Sequence, residues 1–197
     1  MTFLTTQQLN QMGFASLGQN VLISDKASIY GANLIRIGNN VRIDDFCVLS
    51  AGKGGIEIGN YVHIAIYTSL VGAGKITLDD FSNISSKVAI YSSNDDYSGE
   101  YMTNPMVPEK YTNVNHADVT IGRHAIVGSG TVILPGITLH EGVAIGALSL
   151  VTKDCEAFGV YSGTPAKRIK TEKGNYWSVL PTYNRRFTSK GNKSCIL

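Results

Sequence analysis

The chain has 197 residues, 21 of them glycine, a net charge of +2 and only 16% charged residues, against about 25% in ordinary globular domains. Apolar residues make up 43%, which excludes a disordered chain. There is neither the A/E/K/L/R excess of a coiled coil nor a run of about 18 apolar residues for a membrane span, and the weak positive balance does not point to nucleic acid.

Residues 1–16 lack the basic start and long apolar stretch of a signal peptide. They read as a cap, helical around 6–12, covering the open end of a repeat region. That repeat takes over from Leu17. Leu17-Gly18, Ile37-Gly38 and Ile58-Gly59 open successive units, with Leu78-Asp79 as a variant. The rhythm is clearest near the C-terminus. There Ile121, Val127, Ile133, Leu139, Ile145 and Val151 stand six apart. A second ladder of mostly small or β-branched residues accompanies them: Ala125, Thr131, Ile137, Val143, Ser149 and Cys155.

A period of six does not fit an amphipathic helix, whose faces recur near 3.6. It fits short strands joined by corners, with one apolar residue per unit pointing inward. Three units make a triangular coil of about 18 residues, and stacked coils make an all-β parallel β-helix. Ile37 to Ile58 and Ile58 to Leu78 exceed that coil slightly, which reads as small corner insertions. AGKGG at 51–55 is one of these, since it lacks Walker spacing and a following Ser or Thr. The 43-residue step from Leu78 to Ile121 holds a polar, Tyr-rich loop over 92–118, an excursion long enough to expect function in it. The solenoid is assigned to 17–156 and a C-terminal appendage with its tail to 157–197. Cys47, Cys155 and Cys195 form no disulfide framework and have no metal-ligand spacing, so a reducing, cytoplasmic compartment is expected.

The stretch IGRHAIVGSGTVILPGITLHEGVAIGALSLVTKD, followed by GVYSGTPAKRIK, resembles the hexapeptide-repeat acyltransferases, and among them the sugar acetyltransferases of the galactoside and O-antigen type. The loop sequence YSSNDDYSGEYMTNPMVP further resembles enzymes that acylate amino sugars carried on nucleotides for O-antigen and lipopolysaccharide synthesis, the GDP-perosamine N-acetyltransferases first among them. The resemblance implies a left-handed β-helix, acetyl-CoA as co-substrate, and a homotrimer with active sites between neighbouring prisms. It also implies a coenzyme track past Gly128, Gly146 and Ala147. Lys153, Lys167 and Arg168 would face its phosphates, and Pro165 its adenine end.

Relatives acting on sugar hydroxyls place a histidine at the start of the long loop. Here that position falls on Asp95, or on Asn94 after a shift of one residue. Three readings are open. Asp95 or Asp96 is a carboxylate base, with Asn94, Asp96 and Tyr97 contacting the sugar. Alternatively His63 or His116 takes over; His63 is expected to stack with Asn83 on adjacent coils, and His116 to fold back toward the loop start. Or no strong base is needed, because an amine keeps a lone pair that a hydroxyl must lose a proton to match. The third reading favours N-acetylation of a nucleotide-linked amino sugar. Sugar O-acetylation and a non-enzymatic scaffold are the alternatives. His124 and His140 are expected on the surface, and the spacing of the four histidines gives no reason to expect zinc.

Overall fold

The computed structural model describes residues 2–171. Most of the expected appendage, residues 172–197 with Cys195, lies outside them. The helix expected over 6–12 runs Thr6–Gln11. Thr5 caps it by accepting from the Gln8 backbone, and the Gln8 side chain answers the Thr5 backbone, which satisfies donors that a helix start leaves open.

From Ser16 the chain winds as a left-handed parallel β-helix. Each coil gives one short strand to each of three sheets. The first sheet takes Ser16–Leu17, Ile35–Ile37, Ile56–Ile58, Ile76–Leu78, Val119–Ile121 and Thr138–Leu139 in order. Its register aligns Leu17, Ile37, Ile58, Leu78, Ile121 and Leu139. The second sheet aligns Ile23, Ile43, Ile64, Ile84, Val127 and Ile145, and the third aligns Leu49, Leu70, Ile90, Ile133 and Val151. Val127, Ile133 and the Ile58 column are thus one core seen three times, and these residues are buried except Leu17 at the open end, which is half-buried. Fully burying one such side chain stabilises the fold by about 2 kcal/mol. Ala125, Thr131, Ile137, Val143, Ser149 and Cys155, the second ladder, are buried just inside the corners.

A strand of two or three residues must turn 120° at each corner, and residues in the left-handed backbone region do this. The first corner, between sheets one and two, uses Tyr61, Phe81 and His124; the second, between sheets two and three, uses Phe46, Tyr67 and Lys87, all at φ near +60°. Their rings then stack from coil to coil. Phe46 lies 5.0 Å from Tyr67, Tyr61 5.0 Å from Phe81, and Phe81 4.9 Å from His124. His124, expected on the surface, is therefore half-buried in a ring ladder, and burial there lowers its pKa.

The third corner returns sheet three to the next coil. It accommodates the 51–55 insertion and the long excursion. A partial seventh coil continues past Val151, where the six-residue rhythm fades. Cys155 bridges to Leu139, Gly159–Ser162 joins Ala144–Ile145, and Lys167–Thr171 turns back antiparallel along it. Burial pushes the Cys47 and Cys155 thiols up to about 11, so neither is an activated nucleophile.

Candidate active site

The excursion leaves the third corner at Ser92, which is fully buried and donates to the Gly74 carbonyl. Ser93–Asn94 then pairs antiparallel with Asn115–His116. This short ribbon brings His116 back to the loop start. Its Nδ1 lies 2.7 Å from Ser93 Oγ, while its Nε2 has no hydrogen bond among the described residues. Asn94 is held in the ribbon by its pairing with Asn115.

The next two carboxylates differ in their surroundings. Asp96 accepts from Ser98 N and Asn113 Nδ2, both at 2.7 Å. Hydrogen bonds from Ser98, and then Asn113, hold its carboxyl below the usual carboxylate range. It ties the outgoing limb to the returning one. Asp95 is exposed and has no hydrogen-bond partner among the described residues. A carboxylate in that state is open to a proton or an ammonium. Tyr97 is 84% exposed.

His63 and Asn83 are register neighbours on the outer face of the second sheet. That face is not the corner from which the loop leaves, so within one chain these two stand apart from Asp95 and His116. His63 Nε2 lies 2.9 Å from Asp44 Oδ2, and Arg42 Nε donates to Asp44 Oδ1 at 2.7 Å. Burial alone would raise the Asp44 pKa. The hydrogen bonds and charges of Arg42 and His63 together outweigh it and hold the carboxyl below its usual value.

Of the expected coenzyme residues, Gly128, Gly146 and Ala147 gather at the second corner. A Cβ on Gly128 would come within 2.5 Å of the Ala147 nitrogen, and one on Gly146 within 2.7 Å of Ser162 Oγ. The closing turn lies against the same corner, where Gly163 N donates to Ser149 Oγ and Ala166 N to the Leu150 carbonyl. Pro165, Lys167 and Arg168 are exposed on or just beyond it. Lys153 is not with them, because it sits at the third corner between Val151 and Cys155. Among the described residues, no three His, Cys, Asp or Glu side chains gather as a metal site would need.

No family model matches the chain. A dTDP-4-amino-4,6-dideoxy-D-glucose acyltransferase from Escherichia coli is 61% identical over 169 residues, covering 86% of this chain and 88% of that protein. The chain belongs to the hexapeptide-repeat acyltransferases. A crystal structure of AntD, an N-acyltransferase from Bacillus cereus in complex with dTDP and 3-hydroxybutyryl-CoA, is 41% identical. It superposes with a TM-score of 0.87 over 96% of this chain and 98% of that one. An AntD variant in complex with dTDP-4-amino-4,6-dideoxyglucose and coenzyme A is 42% identical with a TM-score of 0.87, over 95% and 98% of the two chains.

Two residues of this acyltransferase that no sequence motif marks are Asp44, which holds His63, and Ser93, which holds His116. Asp44 gives a pH-dependent prediction. Because its folded pKa is lowered, its stabilisation is present above the unfolded Asp value of about 3.9 and is lost as pH falls through the folded pKa. Asp44→Asn is expected to cost about 2 kcal/mol at pH 7, the range for hydrogen bonds to a charged group. The gap from the parent chain should shrink below about pH 4, as read by urea unfolding at both pH values.

Proposed function

We propose that this acyltransferase moves an acetyl group from acetyl-CoA to the amine of a dTDP-linked 4-amino-4,6-dideoxy sugar. The 61% identity to an acyltransferase of that substrate, over most of both chains, carries the reading. The loop start supports it, since Asp95 stands there where hydroxyl-acylating relatives keep a histidine. A thymidine nucleotide is preferred to the GDP of GDP-perosamine, because both the E. coli relative and the AntD complexes are described with dTDP compounds.

The amine nitrogen attacks the thioester carbonyl, a C–N bond forms, the C–S bond breaks, and coenzyme A leaves as its thiolate. The surplus proton on nitrogen passes to the Asp95 carboxylate or to the departing sulfur. His116, with Nδ1 held by Ser93 and Nε2 open, is the second acceptor. His63 and Asn83 serve acceptor binding from the second sheet. A homotrimer, with sites between neighbouring prisms, brings that sheet face to the loop of the next copy. The small corner at Gly128, Gly146 and Ala147 takes the pantetheine arm, and Pro165, Lys167 and Arg168 the nucleotide end of the coenzyme. The product suits cytoplasmic assembly of O-antigen.

Thiol release tests the reading. With acetyl-CoA, the chain is expected to release thiol with dTDP-4-amino-4,6-dideoxyglucose and not with the matching 4-hydroxy sugar nucleotide. Equal or faster turnover of the hydroxyl compound would replace N-acylation by O-acylation, and preference for GDP-perosamine would replace the nucleotide.

A further inference from the structure

The corner insertion at 51–55 is used by none of the chemistry above. It lies between the turn Ala32–Leu34 of the coil before it and residues 72–75 of the coil after it. Gly52 N donates to the Gly72 carbonyl and Gly54 N to that of Ala73, and the Gly55 carbonyl accepts from Ile76 N. A Cβ on Gly52 would come within 2.6 Å of Ala73 Cα, and one on Gly54 would overlap the Lys75 nitrogen. One on Gly55, at φ +78°, would come within 2.6 Å of the Leu34 carbonyl oxygen. The glycines thus let the insertion be gripped from both sides, and Lys53 stands on a fixed turn.

A cavity of about 170 Å³ opens beside it, and Asn33, Arg36, Lys53 and Glu57 are in its lining. Residues 17–78 hold five cations. Lys26 is matched by Asp45, Arg42 by Asp44 and Lys75 by Glu57. The other two, Arg36 and Lys53, have no ion pair among the described residues, and both line this cavity. Glu57, the one carboxylate of the lining, is held by Lys75 Nζ at 2.8 Å. The cavity is left with a net positive charge, the Asn33 amide, and room for several waters.

We propose that Arg36 and Lys53 form a binding site for a phosphate-type oxyanion, separate from both substrates, whose occupant braces the root of the long loop. A guanidinium offers paired donors that match a phosphate edge, and an ammonium adds a compact charge. Arg36 pairs in register with Glu57 on the first sheet, whereas the coenzyme corner lies between the second and third. Arg36 also borders a larger groove across the first sheet, but Asp79 and Asp80 line that groove, and their charge repels an anion. The route from the cavity to the loop is short. Gly54 N donates to the Ala73 carbonyl at 2.8 Å, and Ala73 N donates to Ser93 Oγ at 2.7 Å. Ser93 is the residue that holds His116. Lys75 N donates to Asp118 Oδ1 at 2.8 Å, so the returning limb rests on the same stretch. An anion that fixes Lys53 therefore stiffens the turn beneath both limbs.

Calorimetric titration of the full chain with inorganic phosphate tests the site, at constant ionic strength so that screening does not vary and with coenzyme A at saturation. Lys53→Met and Arg36→Met should each weaken phosphate about tenfold or more, as for loss of a charged hydrogen bond. The double variant should give no binding heat. Both residues are exposed, so without phosphate the variants should unfold in urea at the parent midpoint. Phosphate should raise that midpoint in the parent and not in the double variant. It should also slow proteolysis within 92–118 in the parent alone. A parent chain that binds no phosphate, or parent-like affinity in the double variant, overturns the site. Loss of dTDP affinity in the same variants would give the two cations to the acceptor and overturn a separate site. Phosphate binding with unchanged loop cleavage overturns the bracing. None of these readouts uses acyl transfer, so the site stands or falls apart from the amino-sugar reading.

Discussion

Replacing Asp95 with alanine is expected to lower kcat for the dTDP amino sugar by about a hundredfold or more, the lower range for loss of a positioned proton acceptor, with the coenzyme KM within about twofold. The expectation follows from the contrast between two adjacent carboxylates. Asp96 is engaged by Ser98 and Asn113, one on each oxygen, so its carboxylate holds the two limbs of the loop together. Asp95 carries no such bonds. Asp96→Ala should therefore act differently: it unties the two limbs, raises the sugar KM, and makes the loop more open to proteolysis. His116→Ala separates the remaining alternatives. If His116→Ala abolishes turnover while Asp95→Ala keeps it, the imidazole on Ser93 is the acceptor and the carboxylate only orients the amine. A parent-like kcat in both single variants and their double would mean that the departing thiolate takes the proton unaided.

The coil architecture was legible because a six-residue period puts one apolar side chain per strand into a single inward column, and Ile121 to Val151 keep it without a gap. The seventh coil was not, because its inward residue on the second sheet is Tyr161, whose hydroxyl accepts from Glu156 N at 2.8 Å. An aromatic residue closing the stack breaks the aliphatic pattern that marks the others. The stacking of His63 on Asn83 could be read from equal offsets after Ile58 and Leu78. The partner of His63 could not. Asp44 sits one residue past the inward Ile43, where a sequence shows only a polar corner, and its engagement depends on Arg42 and His63 from two coils. The ladder that takes in His124 escaped for a related reason. Left-handed backbone is rarely expected at Phe or Tyr, yet it is what aims the rings of this ladder, His124 with them, along the corner. In the loop, Asn94-Asp95-Asp96 reads as one polar turn, and only the returning limb, through Asn113, Asn115 and His116, decides which of the three is left unengaged.

Gly72 ties this architecture to the loop, and its replacement has the largest expected cost to stability. It lies at φ +146°, a conformation that side chains rarely adopt, on the third corner one coil below the loop root. A Cβ there would overlap Ser92 Oγ and come within 2.8 Å of the Ser92 nitrogen and carbonyl carbon. Ser92 has no room to retreat, being fully buried, bonded to the Gly74 carbonyl, and accepting from Ala117 N, where the returning limb arrives. Gly99, at φ +83° in the loop, meets nothing within 4 Å. The pair therefore separates backbone strain from contact. Gly99→Ala should cost about 1 kcal/mol, the strain of a left-handed position for an L-residue, with the acyl-transfer rate close to the parent value. Gly72→Ala should cost about 3 kcal/mol or more, strain plus overpacking against fixed backbone, measured as the loss of unfolding free energy in urea. Because the displaced atoms are the loop root, turnover should also fall in the fraction that stays folded. Equal costs at the two glycines would mean that Ser92 moves freely and that the loop is not anchored through it.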